Sequence, residues 1–124
     1  MPYYDFTEMP VWQIAIEIVA NIYKLTDRLP KREDYALCGQ MRSAALSIAA
    51  NIAEGFGRNH SKDKINFYFY SRGSSTEEIS HLLCGNKVGY FSLEEINPIR
   101  MKCKQVIEEL NKMIKTLSQS KPIS

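Results

Sequence analysis

The chain has 124 residues, 44% hydrophobic and 24% charged, a composition that predicts one folded, soluble domain with a single core. Its 16 basic and 14 acidic residues leave a net charge of +2, too small to indicate a nucleic-acid-binding protein by charge alone. Three cysteines without a C-x-x-C pair, no apolar run of about 20 residues and no signal-peptide pattern argue against a zinc site, a membrane protein and a secreted protein, so we expect a cytoplasmic protein.

The first predicted helix covers residues 10–29, because Pro10 suits a first helical turn and Pro30 stops a helix. Its core row recurs at spacings of three and four: Val11, Ala15, Ile18, Ile22, Leu25 and Leu29. A second apolar row runs beside it: Trp12, Ile16, Val19 and Tyr23. One face therefore fits a helix-bundle core, and the other needs a further partner.

The second predicted helix covers residues 33–56, and Gly57 is expected to close it in a left-handed conformation. Its core row is Cys38, Met41, Ala45, Ile48 and Ile52. A stripe of short, mostly uncharged polar residues lies elsewhere on the helix: Gln40, Ser43, Ser47, Asn51, Glu54 and Arg58. The stripe is either a solvent face or a self-association surface. We favour self-association, with these interface residues: Trp12, Ile16, Tyr23, Ser47, Asn51 and Glu54.

The third predicted helix covers residues 62–88, with Ser61 as its N-cap. Its inward residues are expected to be Ile65, Phe69, Ile79, Leu82 and Leu83. The fourth covers residues 92–117 with the row Ile96, Ile99, Cys103, Val106, Leu110, Met113 and Leu117. Ser92 and Glu95 fit a capping box, but Pro98 requires either a bent first turn or a helix that starts at Pro98 with Asn97 as its cap. Residues 118–124 are expected to fray.

Four helices joined by short turns predict an all-α, antiparallel up-down-up-down four-helix bundle in a single domain. Residues equally distant from a turn lie level in such a bundle. Gly73 is therefore expected to pack closely on Ala45 and Ala49, and Arg42 is expected to form an ion pair with Glu77.

Four motifs carry a family resemblance: Val11-Trp12-Gln13, Leu29-Pro30-Lys31, Ser47-Ile48 leading into residues 51–55, and Arg72-Gly73-Ser74 with Glu77. Over about residues 11–117 the chain resembles the bacterial four-helix-bundle proteins encoded in intervening sequences of 23S ribosomal RNA genes. The resemblance implies a homopentamer without established enzymatic activity, for which RNA binding is the usual suggestion. The chain is also similar, more distantly, to the accessory proteins of diversity-generating retroelements, which are basic pentameric bundles that bind a reverse transcriptase and RNA.

Two positions depart from the family pattern. The family commonly has two adjacent arginines where this chain has Arg42 and Ser43, and it usually has Pro where this chain has Ala49. The loss of one arginine weakens the electrostatic case for RNA.

The first functional interpretation is a non-enzymatic oligomeric bundle that binds RNA or a nucleoprotein. The candidate nucleic-acid-binding residues are Arg42, Arg58, Lys62, Lys64 and Arg72. Asp63 lies inside the basic cluster near the second turn and argues against it. The alternative is a protein-interaction or scaffold module without nucleic acid, which a mixed rather than continuously basic surface would favour.

A metal-binding bundle enzyme is a remote third interpretation. Glu78 and His81 form one Glu-x-x-His motif, and Glu17 and Glu54 lie on other helices, but the second motif that a di-iron site requires is missing. Ser47 and Ser74 lack His and acid partners at matching levels. We therefore predict no catalytic residues, no metal site, no cofactor and no evident small-molecule substrate.

Overall fold

The computed structural model describes residues 3–119, which form four α-helices and no strand. The helices are α1 (Pro10–Thr26), α2 (Leu37–Phe56), α3 (Ser61–Lys87) and α4 (Leu93–Gln119). Short 3-10 helices at Phe6–Glu8 and Lys31–Glu33 precede α1 and α2. The predicted all-α fold is confirmed.

The four helices pack as a closed ring around one core. α1 contacts α2 and α4, and α3 contacts the same two helices, whereas no contact among residues 3–119 joins the diagonal pairs. Hydrogen bonds fix the direction of α2 against α3: Lys64, Ser71 and Ser74 on α3 bond to progressively earlier residues on α2, namely Gly55, Ile48 and Ser47. These two helices are therefore antiparallel.

Three of the helices bury the apolar rows that the sequence predicts. The buried members are Val11, Ala15, Ile18 and Ile22 on α1, Cys38, Met41, Ala45, Ile48 and Ile52 on α2, and Ile96, Ile99, Cys103, Val106 and Leu110 on α4. Four predicted residues at the row ends are only partly buried: Leu25, Leu29, Met113 and Leu117. Complete burial of one isoleucine or leucine contributes roughly 1.5–3 kcal/mol, so these rows supply most of the hydrophobic driving force.

The predicted inward face of α3 is right for Leu82, which is fully buried, and Ile65 and Ile79 are partly buried against the core, but Phe69 and Leu83 are wrong. Phe69 and Leu83 are each 40% exposed, and the row that faces the core is Tyr68, Ser71, Ser75, Glu78, Leu82 and Gly85. The Ser71 hydroxyl donates to the Ile48 carbonyl of α2 over 2.8 Å, and the Ser75 hydroxyl donates to the Ser71 carbonyl over 3.0 Å. Small hydroxyl residues that bond to backbone carbonyls let α3 approach α2 closely without leaving polar atoms unsatisfied.

Several helix ends differ from the predicted ones. α1 ends at Thr26, whose buried hydroxyl donates to the Ile22 carbonyl over 2.7 Å, and α2 begins at Leu37 rather than at residue 33. The N-cap of α3 is His60 rather than Ser61. Gly57 is right-handed, with φ −75°, so the predicted left-handed closure of α2 is wrong.

The left-handed glycine lies in the α3–α4 turn. Gly89 has φ 91° and is the only residue of the described chain with positive φ, a conformation that costs little without a side chain. The predicted capping box then starts α4: the Glu95 amide donates to the Ser92 hydroxyl over 3.2 Å, and the Ser92 amide donates to Oε1 of Glu95 over 2.8 Å. Glu95 also pairs with Arg28, which follows the end of α1, and this pairing lowers the pKa of Glu95 to about 2.

Pro98 lies inside α4, so the helix does not start there. Asn97 is not the cap, and its side-chain oxygen accepts a hydrogen bond from Arg100 over 3.0 Å. α4 continues through Gln119, beyond the predicted end at residue 117. The rest of the predicted frayed tail lies outside the described residues.

Candidate nucleic-acid interface

Aromatic and basic side chains share one surface at the turn between α2 and α3. The Arg58 guanidinium lies 4.6 Å from the centroid of the Phe67 ring, and this ring meets Tyr70 edge-on with 5.8 Å between centroids. Lys62, Asn66 and Tyr70 recur every four residues on α3, which places them on one helix face, and all three are exposed. We call Arg58, Lys62, Phe67 and Tyr70 the basic-aromatic surface.

The geometry of this surface suits contact with phosphates and bases. Phe67 supports the Arg58 guanidinium through a cation–π contact, and Tyr70 is 59% exposed, so its ring is accessible for stacking. Arg58 also pairs with Glu54 at 3.3 Å across one helical turn. Both side chains are about half exposed, and such a pair contributes only about 0–1 kcal/mol, so a phosphate can compete for the guanidinium.

Lys64, a predicted nucleic-acid-binding residue, forms hydrogen bonds to the C-terminal end of α2. Its ammonium group donates to the carbonyl oxygens of Gly55 over 3.2 Å and Phe56 over 2.8 Å. Partial burial lowers the pKa of Lys64 from its ordinary value. Lys64 therefore provides a partner for the Phe56 carbonyl at the C-terminus of α2 and a second partner for the Gly55 carbonyl, which also accepts from the Arg58 amide.

The predicted ion pair between Arg42 and Glu77 is wrong. Arg42 turns toward α1, where Nε donates to the Thr26 hydroxyl over 2.9 Å and a terminal nitrogen pairs with Asp27 at 2.8 Å. The guanidinium also lies 4.6 Å from the Tyr23 ring centroid. Glu77 instead lies near His81 of its own helix.

Arg72 is engaged between α3 and α4. Its guanidinium lies 4.7 Å from the Phe69 ring centroid and donates to the Asn111 side-chain oxygen over 2.8 Å. Arg42, Lys64 and Arg72 thus have partners within the chain. Of the five predicted basic residues, the basic-aromatic surface contains Arg58 and Lys62.

The predicted self-association row on α1 is partly covered within the chain. Trp12 packs edge-on against Phe6 with 5.2 Å between ring centroids, and Tyr23 lies under the Arg42 guanidinium. Ile16, between them, is 41% exposed. Of these three predicted interface residues, Ile16 has the largest exposed fraction.

Two residues of the polar stripe on α2, Ser47 and Asn51, form hydrogen bonds within the fold. The Ser74 hydroxyl of α3 donates to the Ser47 hydroxyl over 2.9 Å, and the Asn51 amide donates to both the hydroxyl and the carbonyl of Ser47 over 2.9 Å each. The expectation that Ser47 faces away from the bundle is therefore wrong. Glu54, the third predicted member, is exposed and pairs with Arg58.

The predicted close packing at Gly73 is also wrong. A Cβ atom added at Gly73 would meet no atom within 4 Å, whereas one added at Gly55 would lie 2.5 Å from Cε1 of Tyr68. Ala45 and Ala49 are buried as predicted. The close approaches that require glycine are those of Gly55 to the Tyr68 ring, of Gly85 to the Phe91 ring and of Gly39 to the Asp34 carbonyl oxygen.

Glu78 is a fully buried carboxylic acid that the sequence suggested only as part of a metal motif. Its Oε1 lies 3.1 Å from Nδ1 of His81, and its Oε2 has no hydrogen-bond partner among the described residues. Burial, together with the charge of Glu77, raises the pKa of Glu78 to about 9, although the Ala45 backbone opposes this shift. The acid is therefore neutral at pH 7.

The described part of the chain indicates neither a metal site nor a membrane-spanning helix. Within residues 3–119, no three His, Cys, Asp or Glu side chains come together as a metal site. The described helices include none with the length and apolar character needed to cross a bilayer. Cys103 is buried near Glu78, and burial raises the pKa of its thiol to about 12, so this thiol is protonated and unreactive.

The aromatic residues of the basic-aromatic surface, Phe67 and Tyr70, belong to no predicted core row and were not identified as functional residues from the sequence. The run Phe67-Tyr68-Phe69-Tyr70 contained the information. Four consecutive residues of a helix point about 100° apart, so they cannot all face one core. The structure buries Tyr68 alone and leaves Phe69 and Tyr70 exposed.

Comparisons with known proteins agree with the fold. No curated protein matches the chain. A crystal structure of a protein of unknown function from the S23 ribosomal protein family of Bacteroides thetaiotaomicron superposes with a TM-score of 0.76 at 21% identity, covering 85% of this chain and 98% of that one. The model of the family described as 23S rRNA-intervening sequence protein matches residues 7–112. The chain therefore belongs to the 23S rRNA-intervening sequence protein family.

Proposed function

We propose that this chain is a non-enzymatic, homo-oligomeric bundle that binds RNA through the basic-aromatic surface. The observation that carries the proposal is the placement of Arg58 on the Phe67 ring, beside the exposed Tyr70 and Lys62. This combination of groups is typical of surfaces that bind single-stranded RNA, because basic side chains contact phosphates while aromatic rings stack on unpaired bases.

RNA is the class of partner to test first. The family's description refers to 23S rRNA, and this wording motivates the choice. The family resemblance further implies five subunits. Self-association would repeat the basic-aromatic surface around a ring, and repeated weak contacts to one RNA raise the overall affinity through a high effective concentration.

The self-association part of the proposal rests on Ile16. We expect Ile16→Lys to lower the assembled mass in light scattering toward the 14.2 kDa of one chain, because a buried lysine at a subunit interface is not compensated. Thr76→Lys is the matched control on an exposed position of α3 and should leave the mass unchanged. An Ile16→Lys variant with the full assembled mass and an unchanged helical spectrum would place the interface elsewhere.

The RNA-binding part rests on Tyr70. We expect Tyr70→Ala to weaken binding of a short labelled single-stranded RNA roughly 5- to 150-fold, since loss of one base–aromatic stack costs about 1–3 kcal/mol. Fluorescence anisotropy measures the affinity. Tyr35→Ala is the matched control, because Tyr35 is 99% exposed at the other end of the bundle. Equal affinities for the two variants would exclude the basic-aromatic surface as the RNA site.

A scaffold that binds only protein is the second candidate, and exposed apolar side chains favour it. Leu46 is 48% exposed and Met101 is 70% exposed, on α2 and α4 respectively. Such side chains serve protein contacts better than phosphate contacts. A scaffold would retain its assembled mass but show no salt-dependent affinity for RNA.

A further inference from the structure

A pocket of about 370 Å³ opens at one end of the bundle. It lies where the segment before α1, the end of α2, the start of α3 and the end of α4 meet. Its apolar walls include Met9, Phe56, Met113 and Leu117. The volume is near the lower limit of the roughly 300–1,000 Å³ that is typical of small-molecule sites, so the pocket suits one short ligand. We call it the end pocket.

Tyr68 and Gly55 shape the inner part of this pocket. Tyr68 lines the pocket and is only 3% exposed. Its ring occupies the space next to Gly55, where an added Cβ would lie 2.5 Å from Cε1. Because glycine leaves room at this position, the Tyr68 ring packs against α2 and forms the floor of the pocket. This floor is held in place by core packing.

The charged groups of the pocket lining are cationic, and its uncharged polar groups are hydroxyls. Lys64 and Lys112 both line it, and no acidic side chain does. Lys64 donates two hydrogen bonds to the α2 carbonyls, which leaves one of its three ammonium donors. Lys112 is 74% exposed and lies 3.6 Å from Glu109, a long contact that a ligand anion can replace. An apolar cavity with two ammonium groups complements an apolar molecule with one anionic end.

We propose that the end pocket binds a single-chain aliphatic carboxylate, with the chain between Met9, Phe56 and Met113 and the carboxylate at Lys64 and Lys112. The proposal is independent of RNA binding, because it uses none of the residues of the basic-aromatic surface. Burial of the alkyl chain provides the affinity, and the two lysines provide the preference for an acid over a neutral molecule.

Methionine methyl groups provide a test in the full-length chain without any substitution. Decanoate, added below its micellar concentration to protein with ¹³C-labelled methionine methyls, is expected to shift the signals of Met9 and Met113 saturably. Met101 is 70% exposed elsewhere on α4 and should not move. Decanol, the uncharged analogue, should require at least a severalfold higher concentration. The absence of saturable shifts would overturn the proposal, as would equal shifts at Met101, which indicate non-specific binding. Shifts at Met9 and Met113 with no preference for decanoate over decanol would exclude a carboxylate site.

The role of Lys112 is tested by a matched pair of variants. Lys112→Gln should weaken decanoate binding severalfold. Lys115→Gln removes the same charge from the same helix at a residue outside the pocket lining and should leave the affinity unchanged. Equal affinities for the two variants would contradict the proposed position of the carboxylate.

Discussion

Replacing Glu78 with glutamine is expected to stabilise the protein at pH 7 and to remove most of its loss of stability between pH 5 and pH 8. Glu78 is completely buried between α3 and its neighbours, and its Oε2 has no hydrogen-bond partner in the described chain. Glutamine has nearly the same shape and carries no charge at any pH. We therefore expect the folded structure to accept it.

The direction follows from proton binding in the two states. The pKa of Glu78 is about 9 in the folded protein, above the ordinary 4.5 that it regains on unfolding. Between these values the folded state keeps a proton that the unfolded state loses, so ionisation stabilises the unfolded chain. The stability is fully present below about pH 4.5 and falls as the pH rises toward 9, by at most about 1.4 kcal/mol per pH unit.

Urea unfolding followed by circular dichroism at several pH values measures this effect. The difference in unfolding free energy between Glu78→Gln and the parent chain should grow with pH. Glu108→Gln is the matched control, because it removes an acid from an exposed position of α4. It should leave the pH dependence nearly unchanged. A constant difference between Glu78→Gln and the parent would mean that Glu78 is ionised in the folded protein.

Replacing one glycine of α2 and one glycine of α3 with alanine is expected to have opposite effects on stability. Gly55→Ala should destabilise the bundle by about 1–3 kcal/mol, because the new methyl group would overlap the buried Tyr68 ring and force the core to shift. Gly73→Ala should stabilise it by about 0.5–1 kcal/mol. Gly73 is exposed to solvent and lies in the middle of α3, and an added Cβ would meet no atom within 4 Å. The substitution therefore only raises the helix propensity of this position.

Chemical unfolding of the two variants under one condition compares these effects directly. If Gly73→Ala destabilised the protein, Gly73 would have a close neighbour that the monomeric bundle does not contain, such as a second copy of the chain. If Gly55→Ala were neutral, the Tyr68 ring would have freedom to move, and the floor of the end pocket would not be rigid. Each substitution is therefore the control for the other.

The buried faces of the helices with clear apolar rows could be predicted from sequence, whereas that of α3 could be predicted only in part. In α1, α2 and α4, apolar residues at three- and four-residue spacing identify the buried face. In α3 the buried face includes Ser71, Ser75 and Glu78, while Phe69 is exposed. Hydrophobicity alone misplaces Phe69 and Leu83 and overlooks the serines, because the packing of α3 on α2 depends on small side chains and on the hydrogen bond from Ser71 to Ile48.

The candidate site could be predicted only as a set of basic residues. The predicted α2–α3 turn correctly indicated where Arg58 and Lys62 lie. The height of a residue along the bundle, however, does not determine which partners Arg42 and Arg72 contact. A long arginine side chain can reach either neighbouring helix. Arg42 turns toward Asp27 and Tyr23 of the α1 end rather than toward Glu77 on α3. Pairing within a bundle depends on side-chain direction as well as on level.

The salt dependence of RNA affinity tests the proposed function most directly. For single strands, the logarithm of the binding constant falls with the logarithm of salt concentration with a slope of about −0.7 for each phosphate neutralised. Between 50 and 200 mM salt, we expect a negative slope for the parent chain and for Lys87→Gln, which removes an exposed lysine at the far end of α3. Lys62→Gln should reduce the slope by about 0.7 for each copy that contacts the RNA. No measurable RNA binding at 50 mM salt, or equal slopes for Lys62→Gln and Lys87→Gln, would contradict RNA binding through the basic-aromatic surface.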